Sequence, residues 1–126
     1  MAVFNEGSEI TRVAGADLSA SEYYIVKQQA DRTVVLAAAS TDEITGVVEH
    51  PASTGGAVAI VAINAAGTFK VAAGASFSAL SYLTSDSTGR AVATTTAGDH
   101  IFGIAQEAST GAGQIVEYLA IDRIHA

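Results

Sequence analysis

Apolar residues in this chain fall in short runs, each bounded by Gly, Asn, Asp or Ser, and the alanines between them do not take up amphipathic helical spacing. Runs rich in Val, Ile and Thr predict strands near 22–27, 33–38, 44–49, 57–64, 68–72, 82–84, 91–94, 100–105 and 114–121. β-branched side chains sit well on a pleated surface and lose χ1 freedom in a helix. Turn chemistry falls at 29–31, 53–56, 64–67, 86–89 and 109–113. Residues 1–20 have weaker apolar periodicity and read as an extended N-terminal arm, which leaves 21–126 as one β domain.

An internal echo organises that domain. Asp42-Glu-Ile-Thr-Gly-Val-Val resembles Asp99-His-Ile-Phe-Gly-Ile-Ala, and each is followed by Ala-Ser-Thr-Gly, at 52–55 and 108–111, then by an aliphatic strand ending in Ala-Ile. Upstream, Tyr24 aligns with Tyr82, Arg32 with Arg90 and Val34 with Val92. Residues 21–64 and 79–121 therefore read as two copies of one four-strand unit. The expected fold is all-β, a small barrel or sandwich in which the two units bury their inner faces against each other with approximate two-fold symmetry. Ile44 with Ile101, and Gly46 with Gly103, should occupy equivalent places. A mid-strand glycine marks a bulge or a close backbone approach.

The run 57–63 is apolar on both faces, so it is either a central strand or one half-covered by a partner subunit. The second reading nominates Val58, Ile60, Val61 and Ile63 as an oligomer interface. In the arm, Val3, Phe4, Ile10 and Val13 are more apolar than a solvating tail requires. They are candidates for contact with another protein, as in a segment that orders on binding.

Composition narrows the function classes. At 126 residues the chain is long enough for one real core. The net charge of −7 and six scattered basic residues leave no phosphate-binding footprint, so neither nucleic acid nor an anionic membrane is an expected partner. The longest apolar stretch is too short to cross a bilayer, and the opening segment carries acids, so no signal peptide is expected. The absence of cysteine removes disulfides and thiolate metal sites and suits a reducing cytoplasm.

Candidate chemistry is sparse. His50, His100 and His125 have no metal-ligand spacing and read as solvated surface residues. Asp42-Glu43 precedes a strand and reads as a charged turn, with Asp99 in the matching place. No serine lies in a GxSxG elbow, and Thr110-Gly-Ala-Gly lacks the third glycine and the helix of a dinucleotide loop. No catalytic residue, cofactor site or metal site is expected.

Several blocks together resemble the small decoration, or cement, proteins that bind the outside of tailed-bacteriophage heads. They are Ala16-Asp-Leu-Ser-Ala-Ser-Glu-Tyr-Tyr-Ile-Val-Lys, residues 34–39, Ile44-Thr-Gly-Val with Pro51-Ala, Gly67-Thr-Phe-Lys-Val-Ala-Ala-Gly, Thr84-Ser-Asp-Ser-Thr-Gly-Arg-Ala-Val and Ile101-Phe-Gly-Ile-Ala-Gln-Glu-Ala. The resemblance implies a β-rich body with an N-terminal arm, trimers at capsid symmetry axes, the major capsid protein as partner, a place on the outer virion surface after assembly in the host cytoplasm, and no enzymatic activity. That family has glycine ahead of the Leu80–Tyr82 segment, where this chain has Ser78-Ala. A β-barrel module for a glycan or host-surface ligand is the alternative. It needs an exposed aromatic cluster, whereas the four Tyr and four Phe fall mostly within strands.

Overall fold

In the computed structural model, which describes residues 8–126, every regular element is a strand. In chain order they are β1 (Glu9–Ala14), β2 (Ile25–Ala30), β3 (Thr33–Leu36), β4 (Ile44–His50), β5 (Ala57–Ala62), β6 (Thr68–Ala72), β7 (Tyr82–Ser85), β8 (Ala91–Ala93), β9 (His100–Ala105) and β10 (Ile115–Ile124). The fold is all-β. β1–β5 close into a barrel in the order β1-β3-β2-β4-β5, and β6–β10 form a sheet in the order β6-β10-β9-β7-β8.

The two sheets are copies of one design. β3-β2-β4-β5 and β8-β7-β9-β10 share strand order and antiparallel pairing. The copy is larger than four strands. β1 pairs antiparallel with β5 as β6 does with β10, so the extended segment before residue 21 supplies a fifth barrel strand. β1 then runs parallel to β3 through Ala14 and Val34, and a single parallel bridge between Ala73 and Ala91 is its counterpart.

Registers fix the alignment residue by residue. Gly46 lies opposite Val26 and Ala62, and Gly103 opposite Leu83 and Ala120. The expected equivalence of these glycines therefore holds, as does that of Ile44 and Ile101, both buried. A Cβ on Gly46 would overlap the Val61 carbonyl oxygen, and one on Gly103 would lie 2.5 Å from the Tyr118 ring. Upstream, the sequence alignment is one residue out. Tyr82 pairs with Ile104 as Ile25 pairs with Val47, so Tyr82 matches Ile25 rather than Tyr24. Matching residue identities misled there, because what is shared is backbone shape. Tyr23 (φ 68°) matches Leu80 (φ 71°), and Arg32 (φ 52°) matches Gly89 (φ 78°).

The first unit closes around its own inner face, so the two inner faces do not pack against each other as expected. Ala14, Leu18, Val26, Val34, Val48, Val58 and Ile60 fill the first barrel. Their counterparts Ala73, Phe77, Leu83, Ala91, Ala105, Val116 and Tyr118 lie in a second core, joined by Ile25, Ala37, Ile44 and Val47 from the outside of the first barrel. Tyr118 anchors that core, with the Phe102 ring edge-on at 5.1 Å.

Candidate interaction surface

The junction between the repeats is built on an interrupted seam. In the first barrel the Val13 N–H donates directly to the Arg32 carbonyl at 2.6 Å. The corresponding pair in the second repeat, Ala72 and Gly89, makes no such bond. Instead the Ala72 N–H donates to the Tyr23 carbonyl at 2.9 Å, and the Ile25 N–H donates to the Gly89 carbonyl at 2.7 Å. The entry to β2 is thus inserted into the seam of the second repeat, where the Ile25 side chain is fully buried.

His100 fastens the opposite side of this junction. Its backbone N–H donates to the Ser40 carbonyl at 2.8 Å, which also accepts from the Thr84 hydroxyl. Its Nδ1 lies 3.1 Å from the Ile44 N–H and 3.2 Å from the Asp42 carbonyl oxygen, and its Nε2 lies 2.8 Å from an Asp122 carboxylate oxygen. The expectation of a solvated His100 is therefore corrected: it is 7% exposed. Nothing in its sequence neighbourhood signals burial, since its partners lie 56 and 22 residues away. His50 is exposed, as expected. Asp42 ends a turn, accepting from the Ala38 and Ala39 N–H groups and the Lys27 ammonium, and the Ala38 bond leads in holding its carboxyl below the usual range. That is the structural turn read from the sequence.

A groove of about 580 Å³ runs along β6 and β10 between Tyr23, Phe69 and Ile115, with Lys70, Glu107 and Glu117 at its polar rim. A neighbouring cleft of about 230 Å³ reaches Val48, Glu49 and Val61. There the Glu49 carboxyl is pushed up, first by its hydrogen bond with Glu9, then by burial and the Glu9 charge, with nearby His50 opposing. Burial, with a lesser contribution from Glu49, raises the Tyr118 hydroxyl. Among the described residues no group of three His, Asp or Glu side chains is placed to hold a metal ion.

The outer face of the second repeat is more exposed than its counterpart. Ile25, Val47 and Val61 form a directly paired row across β2, β4 and β5, with exposures of 0%, 1% and 4%. The equivalent row, Tyr82, Ile104 and Leu119, crosses β7, β9 and β10 and remains half-buried or open. Leu80 stands at its head, 74% exposed. Arg123 lies over the Tyr82 ring at 4.7 Å and donates to its hydroxyl, and His125 meets that ring edge-on.

The residues nominated from sequence fall differently. Val58 and Ile60 are inside the first barrel, Val61 is buried, and Ile63 packs on the second core. The proposed oligomer interface at these four positions is therefore corrected. β5 is hydrogen-bonded on both edges, and its two faces look into the barrel and toward the second repeat. Ile10 pairs with Ile60 and packs against the first core, so it is not free to enter a groove on another protein. Val13 stands at the seam, 41% exposed. Val3 and Phe4 lie outside the described residues. The open row was missed, although the repeat alignment, once shifted by one residue, leads to it.

Two tandem five-strand units, joined by insertion of one into the seam of the other, define the architecture. No family model matches the chain, and no curated protein matches it. Among solved structures the chain is similar to the head fiber gp8.5 N base of bacteriophage phi29, with a TM-score of 0.71 over 94% of this chain and 98% of that one, at 20% identity. The two share a fold.

Proposed function

We propose that this chain is a structural virion protein that binds the outer surface of a tailed-phage capsid and stabilises it, with the major capsid protein as its partner. The observation that carries the reading is the shared tandem-unit fold, which spans nearly the whole of both this chain and a phage head fiber base. It agrees with the decoration-protein resemblance drawn independently from the sequence blocks. In this reading the protein acts as a homo-oligomer, a trimer in the first instance. Its task needs buried area at subunit junctions, for which stable interfaces use roughly 1,200–2,000 Å² in total.

The test is binding to phage heads that lack the protein. Purified chain should co-sediment with them to saturation and raise their melting temperature. Absence of co-sedimentation, with specific binding on a glycan array instead, overturns the proposal in favour of a surface-ligand module.

A further inference from the structure

We propose that the open row Tyr82–Ile104–Leu119, with Leu80 at its head, is the surface on which a second copy of this chain docks through the outside of the closed β1–β3 seam and the β2–β3 turn of its first repeat. The contact deepens the oligomer part of the reading above, and it stands on the internal repeat alone.

The chain itself shows what binds such a row. In the first repeat, the row Ile25–Val47–Val61 faces the second repeat: Ile25 is held by main-chain bonds around Ala72 and Gly89, Val47 joins the second core, and Val61 shares a cleft with Thr68, Phe69 and Lys70 of β6. The register equivalents of Ala72 and Gly89 are Val13 and Arg32. Both are solvent-exposed, and within the chain they meet no such row. One molecule therefore carries one used contact, one uncovered row and one uncovered seam.

A contact between unlike surfaces leaves its two halves free at opposite ends, and copies then join head to tail, in a ring if the rotation closes. Because the Val13 N–H already bonds the Arg32 carbonyl, the seam of the first repeat is shut. The incoming Leu80–Tyr82 segment lies across it through side chains rather than being inserted. The row carries charge of both signs at its margins, with exposed Glu117 two residues from Leu119 on β10 and Arg123 over the Tyr82 ring, so Arg32 beside the seam would pair at the Glu117 end.

Leu80→Asn tests the contact with little risk to the fold, since Leu80 packs against little and asparagine tolerates its left-handed backbone. Analytical ultracentrifugation of the full chain should show a concentration-dependent oligomer. In the variant the dissociation constant should rise roughly tenfold or more, with an unchanged circular dichroism spectrum. The cysteine-free sequence gives a second measurement. Leu80→Cys mixed with Val13→Cys should form a mixed disulfide dimer under mild oxidation, in preference to either homodimer. A monomeric wild type, an oligomer indifferent to Leu80→Asn, or preferential Leu80→Cys homodimers overturn the proposal. Saturable binding of monomers to heads would do so while leaving the capsid reading intact.

Discussion

Ile25 and Tyr82 occupy the same position in two copies of one fold, yet truncating them should have very different consequences. Ile25 is fully buried, belongs to the first barrel by sequence, and packs in the core of the second. Ile25→Ala removes three carbons from a site walled by Val47, Leu83 and the inserted seam, which cannot collapse without opening the junction. Large-to-small changes of this kind cost about 2–5 kcal/mol. Tyr82 is half-exposed, and truncating it loses mainly the Arg123 stacking and hydrogen bond, about 1 kcal/mol at a surface site. For 126 residues the unfolding entropy near the midpoint is about 0.26 kcal/mol per kelvin. A loss of about 3 kcal/mol thus lowers Tm by about 11 °C, against about 4 °C for Tyr82→Ala. Both variants belong in the Leu80→Asn background, where the proposed self-association is weakened, and guanidinium titration checks that the slope m is unchanged. Equal losses, or a larger loss for Tyr82→Ala, would refute the one-sided packing of the two repeats.

Three further outcomes follow from the packing. Gly46→Ala and Gly103→Ala should both destabilise in urea titration, by about 1–3 kcal/mol, the first more, because its Cβ overlaps a backbone oxygen, whereas that of Gly103 meets the buried Tyr118 ring and, at 3.1 Å, the Leu119 carbonyl oxygen. His100→Ala should cost about 1–3 kcal/mol and speed hydrogen exchange at the Ile44 amide, whereas His100→Asn keeps an acceptor and part of the protection. The two perturbed carboxyls act with opposite signs. Glu49, raised in the fold, stabilises most below its ordinary value of 4.5, and that contribution is lost as pH climbs through its folded value. Asp42, lowered in the fold, contributes above 3.8 and loses its contribution as pH falls through its folded value. Glu49→Gln should therefore flatten the decline in denaturation midpoint above pH 4.5 and leave the acid limb, where Asp42 acts, in place.

Local chemistry made much of this fold legible. Each of the nine expected strands overlaps an observed one, because runs such as Ile44-Thr-Gly-Val-Val and Ile101-Phe-Gly-Ile-Ala carry both β propensity and their own turn signals. The repeat was legible through its glycines, since a close approach at Gly46 and Gly103 excludes any Cβ. β1 was not, because Glu9-Ile-Thr-Arg-Val alternates weakly and is held by partners about 20 and 50 residues away. The apolar run 57–63 could not tell a barrel strand from a subunit interface, since both demand two covered faces. That choice was decided by β1, the strand the sequence hid.

The asymmetry between the repeats traces to a few side-chain volumes. The first seam is lined by Val13, Arg32 and Val34, and the second by Ala72, Gly89 and Ala91 at the same positions. Larger groups close the first seam on itself. Smaller ones leave room for Tyr23–Ile25 in the second, where a Cβ on Gly89 would stand 3.0 Å from the Ile25 carbonyl oxygen. Ile25 then supplies apolar bulk beside the small seam residues Ala72, Ala73 and Ala91. The insertion therefore joins the barrel to the second sheet and fills that sheet's open seam. Because the contact is heterologous, it uses the row of one repeat and the seam of the other, and so leaves one of each uncovered. In a chain read as part of a virion, those leftover surfaces face the choice between lattice and sister copy that the Leu80 and Val13 variants decide.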